Sequence, residues 1–182
     1  MPAKKQDMIK NDKIILRALE PSDADLLYHW ENQMDLWPVS NTLTPFSRHK
    51  IITYINQTSL DIYQTKQLRL MIDIPGKEKH KTIGMIDLFD FDPYHSRGGI
   101  GIMIYKPERG KGYAKEAIAL FTDYAFSHLG LHQVFCDISE DNLPSIKLFE
   151  SLGFKFVGRK KDWRKTPDGY KDELMYQKIA GN

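Results

Sequence analysis

A short apolar strand that leads through a glycine-rich turn into a long helix constrains this chain more than any other feature. Residues 100–105 form an apolar run rich in β-branched side chains, which predicts a buried strand. From residue 113 to residue 129, apolar side chains recur at spacings of three and four, which predicts a helix with one buried face. The turn between the two elements has the sequence Arg109-Gly110-Lys111-Gly112.

This turn is chemically suited to a phosphate group. The first backbone N–H groups of a helix have no partner within the helix and carry the positive end of its dipole. Glycines lack the Cβ atom that would hold a ligand away from the backbone, and Arg109 and Lys111 add positive charge. We therefore expect a phosphate or pyrophosphate here. The alternative is a tight turn with two glycines and two solvated cations.

Two common phosphate-binding motifs do not fit this segment. A P-loop would end in Gly-Lys followed by Ser or Thr, and the sequence contains no such string. A dinucleotide fingerprint that used Gly99 and Gly101 would need a third glycine where Ile104 stands. Both glycines also lie before or inside the strand instead of after it, so we reject both motifs.

Two segments resemble the signatures of the GNAT acetyltransferase superfamily. Residues 109–114 resemble the Arg/Gln-x-x-Gly-x-Gly/Ala loop, which holds the pyrophosphate of acetyl-CoA in that superfamily. Residues 142–154 resemble the second signature, an asparagine followed by an apolar-x-Leu-Tyr/Phe helix and a closing Gly-Phe. The stretch 83–154 is most similar to the branch that holds the bacterial spermidine N-acetyltransferases and the ribosomal-protein N-terminal acetyltransferases.

The resemblance implies a definite architecture. We expect an α/β (α+β) fold with a mixed, mostly antiparallel sheet, splayed between its fourth and fifth strands and flanked by helices. The order of predicted strands and helices independently favours an α/β or α+β class with a mixed sheet. At 182 residues the chain is expected to form one acetyltransferase domain over residues 1–182, with a loose segment over residues 1–12.

The composition of the chain limits which partners the protein is expected to bind and in which compartment it is expected to lie. The formal net charge of +2 gives no support for a nucleic-acid-binding protein. No apolar stretch is long enough to span a bilayer, and residues 1–7 lack the apolar core of a signal peptide, so we expect a cytoplasmic protein. The single cysteine, Cys136, lies in an apolar run and is expected to be a buried structural thiol.

In the GNAT fold the pantetheine arm of acetyl-CoA lies between the fourth and fifth strands, which correspond here to residues 98–105 and 132–138. The arm carries amide groups, so it can pair with strand backbone as another strand would. The backbone N–H of Met103 or Ile104 is the expected donor to the oxyanion that forms when an amine attacks the thioester. Acetyl-CoA is the expected co-substrate, and no metal is expected. The residues expected to contact acetyl-CoA are Ile102, Met103, Ile104, Arg109, Gly110, Lys111, Gly112, Tyr113, Ala114, Asn142, Ser145 and Phe149.

The reaction needs groups that move protons. A lysine-like ammonium has a pKa of about 10.4, so a general base is expected. The candidates are Asp87, on the strand before the cofactor strand, and Glu140 and Asp141, just after the fifth strand. The alternative for each carboxylate is a solvated or capping group. Much of the superfamily protonates the leaving thiolate with a tyrosine, but Phe149 stands at that place. Three outcomes stay open: Tyr105 or another hydroxyl substitutes, the thiolate leaves unassisted, or efficient turnover has been lost.

The acceptor is expected to bind near the end of the first helix. Glu31 and Asp35 are the candidate carboxylates for an amine, and Trp37 is a candidate wall of the pocket. In the spermidine enzymes an acidic loop at this place binds the polycation, whereas residues 37–47 carry no carboxylate here.

The sequence thus predicts an acetyl-CoA-dependent N-acetyltransferase that acts on a primary amine by direct attack on the thioester. The acceptor is a small polyamine or diamine, or a protein N-terminus, and neither a nucleic acid nor a membrane is an expected partner. The alternative from another class is a non-catalytic module that binds CoA as a sensor or scaffold, and Phe149 is the feature that keeps it open. A homodimer is expected only by analogy with relatives.

Overall fold

The computed structural model describes residues 9–40, 42–57 and 60–181, and its centre is a single mixed sheet of eight strands. Their order across the sheet is β1-β2-β3-β4-β5-β6-β8-β7, and every neighbouring pair is antiparallel except β5 and β6. The predicted mixed, mostly antiparallel sheet is therefore confirmed. The strands are β1 (Ile9–Lys10), β2 (Ile15–Ala18), β3 (Leu68–Ile74), β4 (Lys81–Asp92), β5 (Arg97–Ile104), β6 (Gln133–Ser139), β7 (Lys155–Thr166) and β8 (Gly169–Ile179).

Helices cover both faces of the sheet because side chains alternate between the two faces along each strand. The even-numbered side chains of β4 and β5, such as Ile86 and Ile100, pack with the apolar stripe of α5 around Phe121. Met85 of β4 and Met103 of β5 lie on the other side of the sheet and pack with the helices α1 and α3; we call this side the α1/α3 face. The helices are α1 (Ala24–Glu31), α2 (Trp37–Ser40), α3 (Arg48–Gln57), α4 (Ile62–Thr65), α5 (Tyr113–Ser127) and α6 (Leu143–Ser151).

Residues 9–12, the described part of the segment predicted to be loose (residues 1–12), are ordered. Ile9 and Lys10 form β1 and pair with Leu16 and Ile15 of β2. The adjoining chain is tied to α5, because Asn11 Nδ2 and Lys13 Nζ donate to the Glu116 carboxylate at 2.9 and 2.6 Å. These long-range contacts correct the prediction for residues 9–12. Residues 1–8 lie outside the described residues.

The parallel pair β5–β6 is where the sheet opens. Its register covers only Arg97 with Gln133, Gly98 with Val134, and Gly99 with Phe135. Beyond this point β5 continues to Ile104 and β6 to Ser139 without further pairing between these two fully described strands. The result is a wedge-shaped gap between two halves of the sheet, at the residues where the resemblance predicted a splay.

Candidate active site

Along the free edge of β5, the backbone groups of every second residue point into this gap. Tyr105 N donates to Ile83 O of β4 at 2.8 Å. Hydrogen bonding alternates along an antiparallel strand, so the register of Met103 opposite Met85 directs its N–H toward β4 as well. Ile102 and Ile104 have the opposite phase and direct their backbone groups into the gap. Of the two expected oxyanion donors, this register favours Ile104, because the N–H of Met103 faces β4.

The glycine-rich turn lies directly beyond this edge, and its two glycines have backbone conformations that disfavour other residues. Gly110 and Gly112 have φ values of +77° and +85°, in the left-handed region. A Cβ atom added to either would meet no atom of the described chain within 4 Å, so the backbone borders open space. Gly112 is the residue before α5 and has no side chain with which to cap it. The first N–H groups of α5 are therefore accessible to an anion.

A buried carboxylate organises the cations around this turn. Glu108 is only 6% exposed, and it accepts hydrogen bonds from Lys111 Nζ at 2.8 Å and Lys81 Nζ at 2.6 Å. These contacts lower the pKa of Glu108, and the hydrogen bond to Glu108 raises the pKa of Lys111. Arg109 Nε donates to Ile104 O at 2.8 Å. The three cations outnumber the one carboxylate, so the turn keeps a positive balance suited to phosphates.

The second signature forms the start of α6. Asn142 Oδ1 accepts a hydrogen bond from Ser145 N at 3.3 Å, so Asn142 is the N-cap of the helix. Phe149 is 4% exposed and packs edge-on against Phe154, with ring centroids 5.0 Å apart. The predicted contact of Phe149 with the cofactor is therefore not evident, because its ring is part of the core.

An arginine whose side chain is 13% exposed joins two carboxylates to which the sequence analysis gave separate roles. Arg69 donates to Asp87 through Nε at 2.6 Å and Nη2 at 3.0 Å, and to Glu31 Oε1 through Nη1 at 2.6 Å. Burial lowers the pKa of Arg69, but the attraction of Asp87 and its hydrogen bonds outweigh it and raise the pKa. Both oxygens of Asp87 are engaged, which makes it poorly suited to accept a substrate proton. The sequence analysis missed Arg69, which lies opposite Asp87 in the β3–β4 register.

The remaining predicted residues are spread around the gap. Trp37 Nε1 donates to Glu31 O at 2.9 Å, which places it beside the arginine cluster, whereas Asp35 is exposed. Tyr105 stacks on Trp30 with ring centroids 6.0 Å apart. Glu140 accepts hydrogen bonds from Asp172 N and from Arg159 Nη1, both at 3.1 Å. These bonds give Glu140 a structural role at the end of β6.

Other kinds of site find little support in the described ranges. Cys136 is buried, and burial raises the pKa of its thiol, which is unfavourable for a nucleophile. No three His, Cys, Asp or Glu side chains among the described residues converge to hold a metal ion. None of the helices described has both the length and the apolar character needed to cross a membrane.

Comparison with known proteins decides the family. Residues 13–155 match the family model described as the acetyltransferase (GNAT) domain. The chain belongs to the GNAT acetyltransferase family. It is therefore an N-acetyltransferase by family, and GNAT acetyltransferases use acetyl-CoA.

Individual GNAT relatives align over most of both chains. The chain is 35% identical over 163 residues to the probable N-acetyltransferase YjcK of Bacillus subtilis (strain 168), covering 83% of this chain and 85% of the relative. It is 29% identical to the uncharacterized N-acetyltransferase p20 of Bacillus licheniformis, covering 96% and 99%. The crystal structure of spermidine N-acetyltransferase from Vibrio cholerae in complex with CoA and spermine has a TM-score of 0.83 at 22% identity, covering 93% and 96%, which shows the shared fold.

Proposed function

We propose that this GNAT chain transfers the acetyl group of acetyl-CoA to a primary amine of a polyamine, a diamine or a protein N-terminus. One observation carries the proposal: the unpaired edge of β5 leads directly into the open glycine turn at the start of α5. An amide-bearing arm and a pyrophosphate need these two surfaces next to each other. Acetyl-CoA supplies the thioester, and no covalent intermediate on the protein is required.

Each part of the gap has a distinct task in this proposal. The backbone groups of Ile102 pair with the pantetheine arm, and the N–H of Ile104, whose carbonyl already accepts from Arg109, stabilises the developing oxyanion. The N–H groups that follow Gly112 hold the pyrophosphate, with Arg109 and Lys111 as the nearby cations. The acceptor amine approaches from the α1/α3 face, where Met103 and Tyr105 line β5.

The charge of the α1/α3 face supports a cationic acceptor. Glu31 and Asp87 are two carboxylates that share the single positive charge of Arg69, so the cluster has one negative charge in excess. The Vibrio cholerae spermidine N-acetyltransferase was solved with spermine, and this likeness favours a polyamine. The absence of carboxylates from residues 37–47 favours a less highly charged acceptor, so a peptide N-terminus is the second candidate.

A CoA-binding module without turnover is the rival function. Phe149 has no hydroxyl and is buried in the core. Tyr105, the candidate substitute, packs against Trp30. The leaving thiolate therefore has no proton donor at position 149, although a thiolate with a reference pKa of about 8.5 is already a fair leaving group.

Calorimetric titration with CoA and acetyl-CoA, followed by thiol release on the same sample, tests the proposal. The acceptors are spermidine, short diamines and peptides with a free N-terminus. Binding with amine-dependent thiol release supports the transferase and identifies its acceptor class. Binding without release across the panel favours the sensor, and failure to bind either ligand contradicts the proposed CoA site.

The position of the pyrophosphate has its own test in Gly112→Glu. The new carboxylate would face the ligand at the helix N-terminus, so we expect CoA affinity to fall by about tenfold or more. Gly130→Glu is the matched control, since Gly130 lies just after α5 with φ +67° and equally open surroundings. Both variants strain the backbone, but only Gly112→Glu should weaken CoA binding. Equal CoA affinities in the two variants would place the pyrophosphate elsewhere.

A further inference from the structure

Asp137 of β6 is the first side chain on the α1/α3 face beyond the point where β5 and β6 part. Phe135 is the last residue of β6 that pairs with β5, and its ring packs edge-on against Phe89 of β4 at 5.7 Å between centroids. Phe89 has the same phase on β4 as Asp87, so Phe135 lies on the α1/α3 face. Cys136 points into the opposite core, and Asp137 returns to the α1/α3 face. Asp137 therefore borders the gap itself.

A set of ion pairs holds Asp137 from the side away from the gap. Lys160 Nζ of β7 lies 2.9 Å from Asp137 Oδ2 and 3.2 Å from Glu173 Oε1 of β8. Arg164 Nη1 is 3.1 Å from Glu173 Oε2, and its Nη2 donates to Pro38 O of α2 at 2.5 Å. Burial lowers the pKa of Lys160, but its bonds to Asp137 and Glu173 outweigh this and raise it. One oxygen of Asp137 is thus fixed by a lysine that stays charged.

The other oxygen of Asp137 has no such partner. Oδ1 is buried and accepts no hydrogen bond from any described residue, although the side chain as a whole is 23% exposed. An unsatisfied buried carboxylate oxygen costs free energy, which a new N–H donor would recover. A primary amine that enters the gap from the α1/α3 face brings such a donor. Asp87 and Glu140 differ, since both oxygens of each accept hydrogen bonds from the protein.

We propose that Asp137 is a catalytic residue that binds the acceptor amine through Oδ1 and takes the proton that its nitrogen loses during attack. This inference rests on the proposed transferase function. The acceptor reacts as the neutral amine, after its ammonium proton has passed to solvent. Its nitrogen lone pair forms the C–N bond to the thioester carbon, and the C–S bonding pair leaves with sulfur as the CoA thiolate. The N–H proton passes to the Asp137 carboxylate, which becomes neutral and then returns the proton to solvent or to the thiolate.

Steady-state kinetics of Asp137→Asn test the role. Asparagine keeps the size of the side chain but cannot take up a proton, so we expect kcat to fall by about a hundredfold or more with a much smaller change in KM. Asp137→Glu should restore part of kcat because it restores the carboxylate. CoA titration and thermal unfolding of each variant report whether the fold and the donor site are intact.

Asp172→Asn is the matched control. Asp172, like Asp137, is a strand carboxylate with a cationic partner, in this case Arg159 at 2.8 Å. It precedes Glu173 on β8 and so lies on the opposite face. A merely structural role for Asp137 predicts similar kcat values for the two variants. If Asp137→Asn does not fold, the neutral pair Asp137→Asn with Lys160→Gln replaces it, since that pair leaves no uncompensated buried charge.

The outcomes separate this inference from the function on which it rests. A wild-type enzyme that releases thiol, with a large loss of kcat only in the Asp137 variant, supports both. A second outcome is that wild type releases thiol and Asp137→Asn, or the neutral pair, is as active as Asp172→Asn. This outcome overturns the role of Asp137 and leaves the transferase function intact. Wild-type protein that binds CoA but releases no thiol with any acceptor overturns the transferase and this role with it.

Discussion

At the residue scale, Arg69 sets the electrostatics of the α1/α3 face. It holds Glu31 and Asp87 on one guanidinium, and the ring of Tyr54 lies 5.2 Å from the guanidinium carbon. Sequence separation hides this cluster, because its members come from α1, α3, β3 and β4. Tyr54 is partly buried beside these charged pairs, and its burial raises the pKa of the phenol.

The ionisation of Tyr54 gives a pH prediction. Burial raises its pKa to about 12 from 10.0, with opposing contributions from Arg69, which lowers it, and from Asp87 and Glu31, which raise it. Between these pH values the folded protein binds more protons than the unfolded chain. The stability that Tyr54 contributes is therefore complete below pH 10.0 and is lost as the pH rises through about 12.

Tyr54→Phe should remove this pH-dependent part. Urea unfolding across the same pH range should show a shallower loss of stability in the variant than in wild type. The absorbance of phenolate should show one fewer late-titrating tyrosine. Tyr63→Phe, which removes a phenol that is 60% exposed, is the control and should leave the slope unchanged. Parallel slopes for wild type and Tyr54→Phe would contradict the prediction.

At the element scale, the two helices beside the gap begin differently, and the difference determines which of them can bind an anion. α5 follows Gly112, which has no capping side chain, so its first N–H groups stay accessible. α6 follows Asn142, whose side chain already accepts one of the first N–H groups. The same residue could also contact the pantetheine arm, as the family signature implies.

Substituting Asn142→Ala separates the capping role from a contact with the cofactor. Loss of the cap should lower the free energy of unfolding by about 0.5–2 kcal/mol. Asp61→Ala removes the cap of α4, whose side chain accepts from Tyr63 N and Gln64 N, and is the control. If Asn142 contacts the cofactor, only its variant should also weaken CoA binding in a calorimetric titration. A loss of stability with unchanged CoA affinity would confine Asn142 to capping.

At the scale of the whole molecule, only three residue pairs of β5 and β6 join the two halves of the sheet. Gly99 lies at the end of this junction, and a Cβ atom there would lie 2.3 Å from the ring of Phe89. That ring packs against Phe135 of the other half and has little freedom to move.

The homodimer remains a prediction by analogy, which sedimentation equilibrium can test.

The junction is tested by Gly99→Ala. The overlap with Phe89 should lower the free energy of unfolding by about 1–3 kcal/mol. Gly101→Ala is the matched control two residues further along β5, where the nearest atoms to a new Cβ are 3.8 Å away. It should unfold within about 0.5 kcal/mol of wild type in urea. Equal destabilisation by the two variants would contradict the prediction, because only Gly99→Ala brings a new Cβ atom into overlap with Phe89.

Much of the fold and the donor half of the site could be predicted from the sequence because their signals are local. Alternating and helical patterns mark β5 and α5, and the turn between them needs glycine at Gly110 and Gly112 for its left-handed backbone. The partners of charged residues inside strands were harder to predict from the sequence. Asp137 could have been found from the alternation of residues 132–138, but its partners Lys160 and Glu173 lie on other strands.

The sequence by itself determined that this is a GNAT-like chain with an anion-binding helix start, since short-range backbone requirements and residue spacing depend only on neighbouring residues. The tertiary structure decided which groups act there. Strand register turned Met103 toward β4 and Ile104 toward the gap, and long-range pairing occupied Asp87 and Glu140 while leaving Asp137 Oδ1 unsatisfied. Register, burial and pairing depend on residues far apart in the chain, and only the folded arrangement brings them together.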